Sequence, residues 1–269
     1  MSTVLRLAIV AIALASAGLF LVHPWWFPAA ASAQSAALDR RFYAALWILG
    51  GLFLLSQTAL VLVLSRSQAE DKHSSWYGNW KIEVAWALVI TVIFFGFNIS
   101  GEHLWSRMTS PGRTADALQV EVTGVQFQWY FRYPGADGVL GRVQAAKFAR
   151  PDEGNPLGID PTDPTGRDDI VSSALVLPVD RPVDLILRAQ DVIHSVFIPE
   201  MRFKRDAVPG MDIHAGFTPT RTGSYELVCT QLCGLGHHRM RALVRVVSEA
   251  EFKQWLKVQS SARLLSSIH

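Results

Sequence analysis

The chain has 269 residues, of which 50% are hydrophobic and only 18% are charged, and its formal net charge is +2. This composition is too apolar for a fully soluble domain of that length and too poor in charge for a disordered chain. The small charge and the lack of a basic cluster in the sequence argue against nucleic acid as a partner. Two cysteines cannot form a disulfide framework. These observations predict a membrane-anchored protein with one folded polar part.

The chain begins with an apolar run, Val4 to Val22, and small residues follow it as Ala-Ser-Ala at positions 31–33. This order of features is typical of a signal peptide and its cleavage site, although the distance between the two is long. Residues 1–33 are therefore either a signal peptide or an extra membrane helix. Under both interpretations, the chain that follows starts on the outer side of the membrane.

Two further apolar runs predict a transmembrane helical hairpin over residues 41–103. Residues 42–64 and 84–101 contain no charged side chain, and at about 1.5 Å per residue each can cross a hydrocarbon layer of roughly 30 Å. The loop between the runs holds three basic residues: Arg66, Lys72 and Lys81. Because basic loops favour the cytoplasmic side, we expect everything after the second helix to face the periplasm or exterior.

The region from residue 115 to residue 248 has the alternating pattern of short β-strands with Pro and Gly breaks, which points to an antiparallel sandwich or barrel. In the first run the alternation shifts by one residue at Gly124, which predicts a bulge in a continuous strand. Residues 134–173 are rich in Pro, Gly and Asp. We expect them to form a solvated surface insertion.

The last predicted element is a short helix over residues 249–262. Ser248 and Glu251 have the spacing of a capping box, in which each side chain bonds the backbone amide of the other residue. Phe252 and Trp255 follow at a spacing that places them on one helical face. We expect this face to close the β domain.

One short segment carries most of the candidate chemistry. It reads CTQLCGLGHHRM, and its four candidate ligands are Cys229, Cys233, His237 and Met240. Thiolate, imidazole and thioether together suit copper, whereas zinc has little use for a thioether. Two nearby cysteines outside the cytoplasm can instead form a disulfide, but a histidine and a methionine in step with them favour a metal site.

A further histidine, His194, lies earlier in the chain in the segment DVIHS. A lone histidine in an apolar stretch is more often a core residue than a ligand. Its own surroundings in the sequence therefore leave its role open.

Taken together, these segments and the run KRDAVPG at residues 204–210 resemble subunit II of the haem–copper cytochrome c oxidases. The resemblance covers most of residues 40–256. The family has two membrane helices followed by an external cupredoxin-like β-barrel that holds a binuclear copper A centre. The implied fold class is therefore membrane α plus all-β, with a helical hairpin and a cupredoxin-like antiparallel barrel.

The resemblance also implies a ligand set for two copper ions. The implied ligands are His194, Cys229, the backbone carbonyl of Gln231, Cys233, His237 and Met240. Both sulfurs would bridge the coppers, with His194 and Met240 completing one metal and His237 and the carbonyl completing the other. No catalytic residue is expected in this chain, since oxygen would be reduced in another subunit.

Two positions depart from the family pattern. Gln231 stands where the family commonly has a glutamate that also holds magnesium at the subunit I interface, and a neutral amide is a poorer partner for that hard cation. This departure puts the magnesium in doubt. Phe127 stands where the family has the tryptophan through which electrons arrive, and Trp129 lies two residues further on. We expect electrons to arrive through one of these rings, unless both fill the core.

The implied function is that of subunit II of a respiratory cytochrome c oxidase in the plasma (inner) membrane. Cytochrome c would donate electrons to the copper pair, and subunit I would use them to reduce oxygen while protons are translocated. Subunit III and membrane lipid are the other expected partners. A copper-free quinol oxidase subunit would lack these ligands, a copper-storage protein would favour clustered methionines, and a blue-copper carrier would need only one cysteine.

Overall fold

The computed structural model of the chain describes residues 3–22, 27–66, 78–109, 116–149 and 155–266. These residues divide into two compact units, one built from helices and one from β-sheets. The helical unit comprises Met1–Pro28 and Ala37–His103, and the β unit comprises Ala29–Ala36 and Leu104–His269.

Among the residues that the structure describes, three helices precede the sheets: α1 (Thr3–Leu21), α2 (Ala33–Arg66) and α3 (Trp80–Thr109). Each contains a segment that is long and apolar enough to cross a membrane, since about 20 apolar residues suffice. The helices α2 and α3 contain the two predicted spans and extend beyond them at both ends. The first apolar run is helical too, and whether residues 1–33 are a signal peptide or a retained helix stays a prediction. Lys72 of the predicted inner loop lies outside the described residues.

The described part of the β unit contains ten strands: β1 (Leu118–Val125), β2 (Gln128–Tyr133), β3 (Ile170–Ser172), β4 (Leu175–Pro178), β5 (Val183–Ala189), β6 (His194–Ile198), β7 (Phe203–Ala207), β8 (Ile213–Phe217), β9 (Gly223–Cys229) and β10 (Arg241–Val247). One sheet has the order β3-β2-β1-β5-β8 and the other β4-β10-β9-β6-β7. Alternate apolar side chains of both sheets are buried in one common core. The period-2 pattern of the sequence produces this arrangement because one face of each strand points inward.

The predicted cupredoxin-like β domain is confirmed, but its strands are not all antiparallel. Strand β1 pairs with β5 in parallel, and β10 pairs with β4 in parallel. Parallel neighbours need a long crossover connection, and here the chain between β1 and β5 passes through β4 in the opposite sheet. The domain is therefore a sandwich of two mixed sheets.

The predicted bulge at Gly124 is wrong, because the chain reverses there. Strands β1 and β2 form an antiparallel hairpin in which Val125 pairs with Gln128, which leaves Gln126 and Phe127 as the turn. The reversal shifts the alternation of apolar residues just as a bulge would. A side chain at Gly124 would meet the ring of His194, since an added Cβ would lie 2.8 Å from Cδ2.

The insertion at residues 134–173 is not simply a solvated loop, as far as it is described. It supplies β3, which pairs with β2, and the buried Asp169, whose Oδ2 accepts a hydrogen bond of 2.6 Å from Arg132. Arg132 also donates through Nε to Glu121 at 2.9 Å. A charged side chain can be buried when it has such partners. The aspartate-rich composition of the insertion therefore did not mean that all of it is exposed to solvent.

A short segment before α2 belongs to the β unit. The backbone of Ala31 donates to the carbonyl of Glu200 at 2.8 Å and accepts from the amide of Thr220 at 2.9 Å. The hydroxyl of Ser32 donates to the carbonyl of Met201 at 2.9 Å. Small residues fit here because Ala31 and Ser32 are buried. The Ala-Ser-Ala run is thus an integral part of the β unit.

The chain ends with α4 (Glu249–Ser266), which extends beyond the predicted residue 262. The predicted capping box is confirmed: the Ser248 amide donates to Glu251 Oε2 at 2.9 Å, and the Glu251 amide donates to the Ser248 hydroxyl at 3.3 Å. Phe252 is buried, and the ring of Trp255 lies 5.0 Å from that of Tyr133. The apolar face of α4 therefore packs against the β core, as predicted.

Candidate metal centre

Strand pairing brings the distant histidine to the cysteine segment. His194 begins β6 and Cys229 ends β9, and these strands run antiparallel with Val196 opposite Cys229. The loop after Cys229 returns directly to β10, and the Cys229 amide donates to the carbonyl of Met240 at 3.0 Å. The candidate ligands therefore meet at one end of the second sheet.

The side-chain atoms of this group converge on the two sulfurs. Cys229 Sγ lies 3.9 Å from His194 Nδ1, 3.9 Å from Cys233 Sγ and 3.2 Å from the carbonyl oxygen of Gln231. Cys233 Sγ lies 3.5 Å from His237 Nδ1 and 3.7 Å from Met240 Sδ. The structure brings together all six residues for which the resemblance implies ligand roles. Their binding to a metal stays a prediction.

Both cysteines are free thiols in a buried environment. Their sulfur separation is far longer than the roughly 2.05 Å of a disulfide bond. Burial, together with the neighbouring Cys229, raises the pKa of the Cys233 thiol to about 11. A thiolate becomes stable here when a cation shares the site. The donor set of two thiols, two imidazoles and a thioether thus fits a soft metal such as copper.

Asp191 orients the imidazole of His194. Its Oδ1 lies 2.7 Å from His194 Nε2, and its Oδ2 accepts a hydrogen bond of 2.6 Å from the amide of Gln126. Burial alone would raise the pKa of Asp191, but the hydrogen bonds from Gln126 and His194 outweigh burial and lower it. A carboxylate at Nε2 favours the proton on that nitrogen and leaves Nδ1 available to a metal.

The sequence analysis included Asp191 only as part of the segment DVIHS, and it predicted no role for Gln126. The one signal for Asp191 was a carboxylate three residues before a candidate ligand. No local signal identified Gln126, because its partners Asp191 and Cys233 lie far along the chain.

The two aromatic candidates occupy different environments. Phe127 is 38% exposed and lies on the backbone of the ligand loop, where a Cβ added to Gly234 would be 3.1 Å from its Cε1. Trp129 is buried, and its ring meets that of His194 edge-on with centroids 5.8 Å apart. Trp129 therefore belongs to the core beside the site, whereas Phe127 lies at the surface above it.

The fold and the site together define a class: a membrane-anchored protein with a cupredoxin-like domain and a buried cluster of sulfur and imidazole groups. Among the described residues, His194, Cys229 and Cys233 place their ligand atoms within 4.8 Å of one another. Such spacing allows a single metal site to draw on all three.

Comparison with known proteins identifies the family. The family model described as cytochrome c oxidase subunit II, periplasmic domain, matches residues 118–247. The alternative cytochrome c oxidase subunit 2 of Bradyrhizobium diazoefficiens is 35% identical over 97% of this chain and 93% of its own length. The cytochrome c oxidase subunit 2 of Synechocystis is 29% identical over 87% of this chain and 76% of its own.

A solved structure, the periplasmic domain of subunit II (CoxB) of Bradyrhizobium japonicum, matches with a TM-score of 0.41 and 25% identity over 55% of this chain and 97% of that one. The length and identity of the match to the alternative subunit 2 are what decide the assignment. The chain belongs to the cytochrome c oxidase subunit II family.

Proposed function

We propose that this chain is the electron-accepting subunit of a respiratory cytochrome c oxidase and holds two copper ions. The observation that carries the proposal is the convergence of four other candidate ligand groups on two buried sulfurs 3.9 Å apart. Cys229, Cys233, His194, Met240, His237 and the Gln231 carbonyl are the groups that would hold the metals.

When bound, the copper pair would supply a centre that takes up or releases one electron. The chain keeps the ligands in place during that change. His194 and Cys229 are fixed by paired strands, and the backbone bond between Cys229 and Met240 closes the ligand loop. Ligands held by a sheet move little, and a small reorganisation favours fast electron transfer.

The proposed donor, cytochrome c, docks on the apolar surface above the ligand loop. Leu235 is 97% exposed and lies between the two glycines whose backbone contacts Phe127. Leu232 in the same loop is 78% exposed. Exposed apolar groups of this kind mark interaction surfaces. Phe127 is therefore the ring through which electrons arrive, and the buried Trp129 supports His194 from the core.

The chain is proposed to work as one subunit of a larger oxidase complex. The proposed location of the chain is the plasma membrane, with the β unit in the periplasm and with subunit I and subunit III as neighbours. Electrons pass on to the haem and copper site of subunit I, where oxygen is reduced and protons are translocated. This chain contributes no catalytic residue to that step. The amide of Gln231 offers a weak ligand for magnesium at the interface.

Copper analysis of the full purified chain tests the proposal. The full chain is the right material because Ala29–Ala36 belongs to the β unit. We expect two copper atoms per chain and the seven-line electron spin resonance pattern of a mixed-valence pair. Cys229→Ser or Cys233→Ser should abolish that pattern and the oxidation of cytochrome c.

Two adjacent histidines provide a matched control. His237→Ala should remove the binuclear signal, whereas His238→Ala should leave it intact because His238 is an exposed neighbour outside the ligand set. A four-line spectrum from the wild-type chain, or equal effects of the two substitutions, would refute the assignment.

A further inference from the structure

The turn between β1 and β2 is bonded to both segments that carry the candidate ligands. The backbone amide of Gln126 donates to Asp191 Oδ2 at 2.6 Å, which links the turn to the histidine segment. The side-chain amide of the same residue donates through Nε2 to the carbonyl oxygen of Cys233 at 2.5 Å, which links it to the cysteine loop. One residue thus connects two loops that are far apart in the chain.

The bond to the cysteine loop depends on a glycine. Gly234 has a φ of +124°, a backbone conformation that side chains rarely adopt, and a Cβ there would lie 3.0 Å from Gln126 Nε2. The same Cβ would also crowd the ring of Phe127. Glycine therefore allows the turn to lie directly on the loop, with the amide of Gln126 and the ring of Phe127 side by side.

Asp191 carries the connection on to the ligand ring. Its Oδ1 accepts from the amide of Val192 at 2.7 Å and lies 2.7 Å from His194 Nε2. With Nε2 held in this way, Nδ1 faces Cys229 Sγ. A single carboxylate therefore joins the turn to the imidazole and sets which ring nitrogen faces the sulfurs.

We propose that Gln126 and Asp191 are positioning residues that hold the ligand imidazole, the cysteine loop and the surface ring of Phe127 in one fixed arrangement. We call these two residues the hairpin clamp. The inference rests on the proposed function, since it assigns the clamp to the same metal site. Its role is to keep Nδ1 of His194 unprotonated toward the metal and to keep Phe127 seated on the ligand loop.

The first test is Asp191→Asn in the full chain. An amide can turn its NH2 group toward Nε2, which moves the ring proton to Nδ1 and removes the lone pair that faces Cys229. We expect nitrogen NMR of the metal-free chain to show His194 leaving the Nε2–H tautomer. We also expect an altered copper hyperfine splitting and a loss of roughly 10- to 100-fold in copper affinity, measured by chelator competition. Asp212→Asn is the matched control, because Asp212 is exposed and pairs with Arg188.

The second test is Gln126→Met, which keeps the side-chain length and removes the bond to the Cys233 carbonyl. We expect unchanged copper content, a shifted hyperfine pattern and about tenfold slower reduction by cytochrome c in a single turnover. Gln128→Met is the matched control, since Gln128 lies in the same hairpin and only accepts a bond from the Tyr130 hydroxyl.

The results separate this inference from the proposed function. Wild-type tautomer, hyperfine splitting and copper affinity in Asp191→Asn would overturn the clamp even if two coppers bind. If the wild-type chain binds no copper, the proposed function fails, and the tautomer in the metal-free chain still decides the role of Asp191. Should Asp191→Asn not fold, Asp191→Glu keeps the charge but displaces it by one methylene, and the same three measurements apply.

Discussion

The β unit contains two buried polar clusters that differ in how their ionisable groups are balanced. The ion-pair cluster consists of Glu121, Arg132 and Asp169, all about 1% exposed or less. Arg132 bonds both carboxylates and the carbonyl of Gly141. Burial tends to lower the pKa of Arg132, but its bonds to Glu121 and Asp169 raise it. The charges of this cluster are therefore paired within the chain itself.

The sulfur–imidazole cluster around Cys229 and Cys233 is also buried, apart from the half-buried His237, but its two thiols have no such charge pairing within the described part of the chain. Its sulfur and imidazole groups approach one another at 3.5 to 3.9 Å, and burial raises the pKa of the Cys233 thiol to about 11. A buried group without a counter-charge stays neutral or acquires one. The comparison teaches that the first cluster pairs its own charges, whereas the second has the donor groups that suit the cation of the proposed function.

The largest effect on stability should come from breaking the ion-pair cluster. Arg132→Met leaves Asp169 buried without its counter-charge, and Glu121 keeps only its contact with Arg188. We expect a loss of about 3–5 kcal/mol in the free energy of unfolding, measured by amide hydrogen exchange of the sheets in the metal-free full chain. The copper spectrum of the fraction that folds should be unchanged.

Arg241→Met provides the control for this substitution. Arg241 pairs with Glu226 on the surface, with both side chains more than half exposed, and such pairs contribute at most about 1 kcal/mol. Equal losses from the two arginine substitutions would contradict the special role of the buried cluster.

An intermediate effect is expected from Met240→Leu in the sulfur–imidazole cluster. The side chains are similar in volume, so the metal-free chain should lose less than about 1.5 kcal/mol. Copper should still bind, but with a shifted potential and slower electron transfer, because the chain would lose its one thioether contact to Cys233. Redox titration and stopped-flow reduction measure both quantities. Wild-type values would mean that Met240 is not a ligand.

The sequence predicted that the side chains of the cysteine loop group together, because the determinants of that grouping are local. Cys229, Cys233, His237 and Met240 lie in one loop between adjacent strands, so their spacing alone brings them together. His194 was identified only through the family resemblance. Its position beside Cys229 results from the register of β6 against β9, and no local pattern encodes that pairing. The capping box of α4 was predictable for the same reason as the loop.

The errors of prediction share a physical origin in long-range contacts. A hairpin and a bulge shift the alternation at Gly124 identically, and only the pairing of β1 with β2 distinguishes them. From its polarity alone, Asp169 is expected in an exposed loop. Its burial is explained only by its contact with Arg132 of β2, which is distant in the chain. The burial of Ala31 in the Ala-Ser-Ala run likewise depends on distant contacts, with Glu200 and Thr220, and whether residues 1–33 are cleaved stays a prediction.

The smallest effect on stability should come from Glu251, whose carboxylate is exposed. Its comparison with the two buried clusters shows how much burial strengthens an interaction between polar groups. The hydroxyl and amide of Ser248 hold the pKa of Glu251 below its usual value of 4.5. Because the folded pKa is the lower one, the stabilisation of α4 is present above about pH 4.5 and is lost as the pH falls through the folded value. The Ser248 amide resonance should report a titration midpoint below 4.5, with a matching fall in the thermal stability of α4. Glu251→Gln can keep the cap without titrating, so a pH dependence that survives in this variant would assign the effect to another group.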